Sequence, residues 1–468
     1  MSPTTTIEPL LYAPQARLVD LETGKIIGTN VTQGDQAAIL SGDLISASVT
    51  LPNTGIAQLA VTLNNQRFFE GHPVFPPWKY NNFAKKQPGA QNTFSISLGQ
   101  LLRLDLRYSG MQWVKMIVAR VTDLQFTFPQ SGGAQLKVVG EDMLSALKIK
   151  PKDDIPYDGK QEEVIATETL KKAQLDLTVR SEGIEKRPQP WRAARHQKSQ
   201  TYFQFLSDIA DRMDCELYVD FKDRASDDDK AGTVPKTGDA KSEVSVVMEP
   251  ARSKTRKPGV QVTSYTALDL KPTEFFELRW GKNLIDFTPK LKVWEMPTSA
   301  SVSGSQPTRR GRVTAKLSAD DVKDAIKAEL PKSPIYDVEP IDAVTARTKF
   351  FDTSDPDNQD SQDGSNLDEA RAKMKALAGV LKKVREFMTA EANTIGIPLL
   401  RPGSYIHISG MRPPFDGFYY VTKTVHTYDS NGYRTQFSLR RPGMLPPENY
   451  LTFAKDEKQP ATTPTGGT

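Results

Sequence analysis

Apolar and polar residues alternate with period two along much of this chain. Leu102, Leu104, Leu106 and Tyr108 are interleaved with Arg103, Asp105 and Arg107, and Thr435, Phe437 and Leu439 with Arg434, Gln436, Ser438 and Arg440. Period two is the pattern of a strand with one face in a core and one face outward. Further strands are predicted at 44–51, 57–63, 113–128 and 135–139, with a short helix at 141–147. Near the C-terminus, runs at 405–409, 418–428 and 433–441 form an antiparallel meander. Asp429-Ser430-Asn431-Gly432 supplies the positive-φ residues of its hairpin turn. Such a meander needs a partner sheet, and the strand-rich run at 270–317 (275–280, 284–287, 290–294 and 312–316) is expected to provide it. A loop is expected at 299–308 and a mobile, exposed tract at 352–364.

Helical periodicity is confined to a few places. Tyr202, Phe205, Leu206, Ile209, Ala210 and Met213 make one apolar stripe, with Ser199 or Thr201 as N-cap. A second helix is predicted to start near Ser365, with Asp368 in a loose capping arrangement, and to carry Ala370, Met374, Leu377, Leu381, Val384 and Met388 on one side. A shorter helix at 164–173 and strands at 175–179 and 216–221 complete a small α+β region. The fold class expected from the pattern is mainly β with α+β: two β-rich units, the first a barrel or a sandwich, separated by a small α+β domain, plus a helical insert; that both units are antiparallel β-barrels is what the resemblance given below implies. The expected boundaries are 1–150 for the first β unit and 151–265 for the α+β domain. Residues 266–317 and 393–442 are the two halves of the second β unit, 318–392 a mobile loop and helical insert, and 443–468 a flexible tail.

Length and composition narrow the function. The chain has 468 residues, 38% of them hydrophobic, so several modest cores are expected rather than one. A net charge of +4, from 61 basic and 57 acidic residues, gives no nucleic-acid signature. The single cysteine, Cys215, excludes an internal disulfide framework. The start, MSPTTTIEPL, lacks the basic and apolar regions of a Sec-type signal, and no run approaches the ~18 apolar residues of a membrane span.

No catalytic constellation is evident. His72, His196, His407 and His426 show no metal-ligand spacing, although His407 and His426 on strands of the meander are weighed as a facing pair. Cys215 reads as a buried thiol without a base beside it. The Asp227-Asp228-Asp229 run reads as a solvated loop. The acidic tract before Ser365 fails as a calcium loop, because Ala370 stands where the bidentate glutamate belongs. Arg309-Arg310-Gly311-Arg312 reads as an exposed basic loop. No catalytic, cofactor-binding or metal-ligating residue is expected.

Four segments carry a resemblance. They are WVKMIVARVTDLQFTFPQSGGAQLKVVGEDMLSALK (113–148), QKSQTYFQFLSDIADRMDCELYVD (197–220), LRWGKNLIDFTPKL (278–291) and the closing stretch. The last contains Arg401-Pro402-Gly403, Gly417, Tyr419-Tyr420-Val421, His426, Gly432-Tyr433 and Arg440-Arg441. In this order they resemble the baseplate hub proteins of contractile tails, a family that includes the phage late-control protein D group and the first part of type VI secretion VgrG proteins. The resemblance implies two related barrels per chain and a homotrimer whose six barrels imitate a hexamer of tube subunits, a symmetry adaptor between a three-fold spike and a six-fold tube. It also implies a spike protein, a tail tube protein and baseplate wedge proteins as partners. Neither membrane insertion by this chain nor specific nucleic-acid binding is expected. The protein would be made in the bacterial cytoplasm and built into the tail or baseplate of a virion or injection particle. VgrG proteins continue into an oligosaccharide-binding-type barrel and a β-helical needle, whereas only 442–468 follow here, so the spike is expected as a separate chain, or this chain is expected to bind it through that tail. A second reading is a β-rich carbohydrate-binding or adhesin module with Trp78 and Tyr80 as a platform. A third, a cell-wall hydrolase, lacks a carboxylate pair.

Overall fold

The structure is a computed structural model. It describes residues 13–24, 26–29, 43–69, 72–78, 80, 96–109, 111–130, 132–153, 155–157, 160–181, 196–197, 200–221, 225–226, 244–250, 262–263, 272–273, 276–306, 311–327, 329–330, 339–351, 358–366 and 369–446. The chain divides into two compact units. One comprises Met1–Phe276, Glu391–Ser404 and Val421–Ser438; the other comprises Glu277–Ala390, Tyr405–Tyr420 and Leu439–Thr468.

The first unit is built on seven strands: β1 (Pro14–Asp20), β2 (Ile26–Thr29), β3 (Leu44–Pro52), β4 (Gln58–Asn64), β5 (Leu101–Tyr108), β6 (Trp113–Thr127) and β7 (Gln135–Asp142). Their order is β3-β4-β7-β6-β5-β1-β2, antiparallel throughout. Outside β3 lies the closing stretch, with Lys423 opposite Pro52 and Tyr428 opposite Ala47. This part of the meander therefore finds its partner in β3 and not at 270–317, whereas its strand at Tyr405–Ser409 does pair with Phe276–Arg279, inside the expected range. Among the described residues no pairing joins the two ends of this path, so the closed barrel expected from the sequence is an open, continuous sheet here.

Alternation sets the core of this sheet. Val49, Leu59, Val61, Leu63, Leu102, Leu104, Leu136 and Val138 all point into one cluster, which Tyr433 joins. The polar face of β5 is covered as well, since Arg103 and Asp105 are both fully buried.

A smaller layer follows: α1 (Glu162–Lys172), β8 (Thr178–Arg180), α2 (Tyr202–Arg212), β9 (Cys215–Phe221) and β10 (Val244–Pro250). The strand order is β8-β10-β9, parallel across the first pair and antiparallel across the second. The predicted stripe of α2 is buried at Tyr202, Phe205, Leu206, Ile209 and Ala210. Thr201 caps the helix. Its hydroxyl accepts from the Gln204 amide at 3.1 Å, and the Gln204 side chain accepts from the Thr201 amide at 3.0 Å, which is a reciprocal capping box. Thr201→Ala is expected to cost about 1 kcal/mol. Chemical denaturation checks this as a lowered midpoint at unchanged slope, with Thr201→Ser near wild type.

The second unit contains β11 (Phe276–Arg279), β12 (Leu284–Leu291), β13 (Ser299–Gln306), β14 (Gly311–Leu317), α3 (Ala319–Lys327), α4 (Ala343–Phe351), β15 (Asn358–Asn366), α5 (Glu369–Val384) and β16 (Tyr405–Ser409). β16 pairs with Gly417–Tyr420 on one side and β11 on the other. Four expectations are corrected here. Residues 299–306 are a strand, not a loop: SASVSGSQ holds only one strong β former, but Ala300 and Val302 are buried and β13 is the central strand of three, antiparallel to β14 and parallel to β15. The tract from 358 is ordered as β15 by main-chain pairing with β13, which its polar composition does not reveal. Residues 290–294 are not a separate strand, because β12 ends at Leu291. Helix α5 begins at Glu369, and Met388 opens the strand Met388–Ile395 instead of extending the stripe. The buried face of α5 runs through Ala372, Ala376, Val380, Leu381 and Val384, a wider stripe than the predicted one and rich in alanine, with Met374 and Leu377 only half-buried.

Candidate functional site

The candidate site is a surface, not a pocket of reactive groups. In the second unit the chain leaves β11 through a turn at Trp280–Asn283 with Gly281 in the left-handed region (φ 78°). Asn283 locks the turn: its Oδ1 accepts from the Arg279 amide at 2.7 Å and its Nδ2 donates to the Glu277 carbonyl at 3.0 Å. Strand β12 follows with most side chains uncovered. Trp280 is 57% exposed, Ile285 50% and Trp294 62%, and Leu291 is also exposed. The Arg347 guanidinium lies 5.7 Å from the Trp294 ring centre and donates to the Met296 carbonyl, holding one indole in place. Two tryptophans and two aliphatic residues on and beside one strand are thus exposed, a set termed the strip below, and exposed apolar residues grouped along one element are the raw material of an interaction surface. Pro289 and Lys290 in the same strand discourage unspecific edge pairing.

Residues anticipated as candidate chemistry have structural roles where they are described. His426, in the first unit, is fully buried. Its Nε2 lies 3.0 Å from the Leu400 carbonyl and its Nδ1 2.8 Å from the Tyr433 hydroxyl. A carbonyl only accepts, so Nε2 carries the proton and Tyr433 donates to Nδ1. Burial, then the Arg401 charge, pushes its pKa down to about 3. His407 belongs to the second unit and packs edge-on against Phe418, ring centres 4.9 Å apart. Burial, then the Arg441 charge, pushes it down to about 4. The facing pair weighed from the sequence thus resolves into two core histidines in different units. The Cys215 thiol is buried and donates to the Met213 carbonyl at 3.5 Å. Tyr80 is no platform: it is 0% exposed, and its hydroxyl donates to the Ile27 carbonyl at 2.9 Å and lies 3.2 Å from Asp43. Arg312, expected in a loop, is the second residue of β14 and is exposed. The side chains of His72, Trp78 and His196, and residues 227–229, 309–310 and 447–468, lie outside the described residues. Among the described residues no group of three or more His, Cys, Asp or Glu is placed to hold a metal ion, and no helix is long and apolar enough to cross a membrane.

Sequence reasoning missed the strip, because Trp280 and Trp294 read as ordinary strand residues; the signal available was two tryptophans bracketing a short strand that already carries Pro and Lys. It also missed the buried charges that fix the scaffold. In the first unit Asp105 accepts from Arg17 Nε at 2.8 Å and from Arg103 Nε and Nη2 at 2.8 and 3.0 Å, and Trp113 lies between the guanidinium groups of Arg17 (4.4 Å) and Arg107 (4.2 Å). In the second unit Arg385 and Glu329 form a two-pronged buried pair, with contacts of 2.9 Å. One glycine matters for the closing stretch. Gly396 accepts from the Tyr108 hydroxyl at 2.8 Å, and a Cβ there would stand 2.1 Å from the Tyr433 ring. Gly396→Ala is expected to cost about 3 kcal/mol through overpacking, read from thermal unfolding, with Tyr433→Leu in the same chain relieving part of the loss.

No protein-family model matches the sequence, and no curated protein matches it significantly. Solved structures do match in fold. The 43 kDa tail protein of prophage MuSo2 from Shewanella oneidensis superposes with a TM-score of 0.53 at 14% identity, covering 92% of this chain and 99% of that one. The tail protein from Neisseria meningitidis MC58 gives 0.52 at 9% identity, covering 92% and 97%. The Escherichia coli c3393 protein, a component of the type VI secretion system described as similar to T4 tail proteins gp27 and gp5, gives 0.47 at 9% identity, covering 88% and 76%. The first two likenesses establish the fold as one used by tail proteins.

Proposed function

We propose that this chain is a structural component of a contractile tail or injection-system baseplate, acting there as a homotrimeric hub between a three-fold spike and a six-fold tail tube. The observation that carries the reading is the extent of the fold likeness: 92% of this chain aligns with nearly the whole of two tail proteins. Two features support it. The exposed strip of Trp280, Ile285, Leu291 and Trp294 gives the second unit an apolar surface to bury on assembly. Asp105, Glu329, His407 and His426 are committed to buried structural contacts. We therefore read the protein as a non-enzyme whose partners are its own copies, the spike, the tube and the wedge proteins, and whose place is the assembled particle. The carbohydrate-binding alternative loses half of its platform with Tyr80 buried.

Trp280→Asp and Trp294→Asp test the reading. Each is expected to leave the purified chain folded by circular dichroism and to weaken incorporation into particles, in a complementation assay, by about 30-fold, the size of a ~2 kcal/mol hot spot. Normal incorporation of the double variant would remove the strip from the account.

A further inference from the structure

In the first unit a tight turn through Ser430 and Asn431 joins the strands Gly417–Asp429 and Gly432–Arg441. Asn431 is exposed, and Gly432 stands in the left-handed region at φ 103°. The main-chain amide of Asn431 donates to Asp429 Oδ1 at 2.7 Å, whereas its side-chain amide makes no hydrogen bond to any described residue. Other asparagines are tied down. Asn53 donates to Glu216 at 2.6 Å, Asn64 accepts from the Gln66 amide at 3.1 Å, Asn65 accepts from the Tyr80 amide at 2.8 Å, and Asn283 holds its own turn with two bonds. None of these four precedes a glycine. Asn431 does, and a Cβ built on Gly432 would meet nothing within 4 Å. A glycine has no side chain to shield its main-chain nitrogen, or to limit the rotation that carries that nitrogen to the amide carbon before it.

We propose that Asn431 is a site of spontaneous covalent modification, at which the folded chain deamidates to aspartate and isoaspartate forms. Base removes the Gly432 amide proton, and the nitrogen electron pair forms a bond to Asn431 Cγ. The Cγ–Nδ2 bond breaks, and the nitrogen leaves as ammonia after taking up a proton. Water then opens the cyclic imide. Opening at Cγ restores the normal peptide link and leaves aspartate; opening at the main-chain carbonyl carbon leaves isoaspartate, whose main chain is longer by a methylene. Either product sets a new carboxylate close to Asp429, and isoaspartate also lengthens the link between two paired strands. Incubation of the folded full-length chain in mildly alkaline buffer, followed by trypsin digestion and mass spectrometry, tests the site. The peptide Thr424–Arg434 carries Asn431 as its one side-chain amide. The expected result is the mass gain of amide-to-acid conversion in this peptide, as two products separable by chromatography, ahead of any conversion at Asn283. Only one product should accept a methyl group from protein isoaspartate methyltransferase. Asn431→Gln keeps the amide on a longer side chain and should leave the peptide unchanged over the same time. A chain unfolded in guanidinium chloride is the reference. Conversion there with none in the folded chain would mean that the turn keeps the Gly432 nitrogen from the amide, and would overturn the proposal. Conversion at Asn431 no faster than at Asn283 would overturn it equally.

Discussion

Asp105→Ala is expected to lower the unfolding free energy by roughly 3–5 kcal/mol, the cost of leaving buried charge uncompensated. Asp105 is fully buried and is the shared acceptor for Arg17 and Arg103, whose side chains are 8% and 0% exposed. Removing it takes a shared charged acceptor from two buried guanidinium groups, one of which also packs on Trp113. Replacing Asp105 and Arg103 together with Leu and Met should cost less than Asp105→Ala alone, because an apolar pair of similar volume leaves one buried cation fewer deprived of this carboxylate. Denaturant titration of the three proteins checks both statements. A loss below ~1 kcal/mol for Asp105→Ala would mean that the network is more solvated than its burial indicates.

Acid should destabilise the protein through its histidines. His426 and His407 titrate in the folded chain near 3 and 4, against 6.5 when unfolded. Between those values the unfolded chain holds protons that the folded chain refuses, so stability falls as pH falls. Asp142 acts in the opposite sense. Burial first, against amide bonds from Ala57 and Leu144, raises it to about 7 from 3.8, so in this window its folded form keeps a proton that the unfolded chain has released. From pH 6.5 to 4 the balance is two histidine protons less one aspartate proton, a net of one. The expected slope is therefore about 1.4 kcal/mol per pH unit, or on the order of 3 kcal/mol across the window. His426→Gln removes one of the two and should flatten the slope over the same range. Wild-type stability that stays level from pH 7 to 4 would contradict this picture.

The sheet of the first unit was legible because its alternation is strict. Thr435, Phe437 and Leu439 are buried, and Arg434 and Gln436 exposed, as period two requires. Helix α2 was legible for the same reason, its stripe and its cap both being local signals. What periodicity could not give was which strand pairs with which: nothing in 423–428 says that its neighbour is β3, some 370 residues earlier. β13 escaped notice because serine and glycine fill it, and the sheet around it, not propensity, makes it a strand. The interaction strip failed for a related reason. Trp280 and Trp294 look like core residues in sequence, and only the folded chain shows them uncovered. Alternation along β5 likewise predicted an outward polar face, whereas Arg103 and Asp105 are sealed in by pairing with each other and with Arg17.

Sedimentation equilibrium of the purified full-length chain over a range of concentrations tests the proposed hub most directly. A species of three times the chain mass, reduced toward monomer by Trp280→Asp together with Trp294→Asp, is the predicted result. A wild-type chain that stays monomeric up to its solubility limit, and that gains no mass on mixing with tail tube or spike protein, would contradict the account.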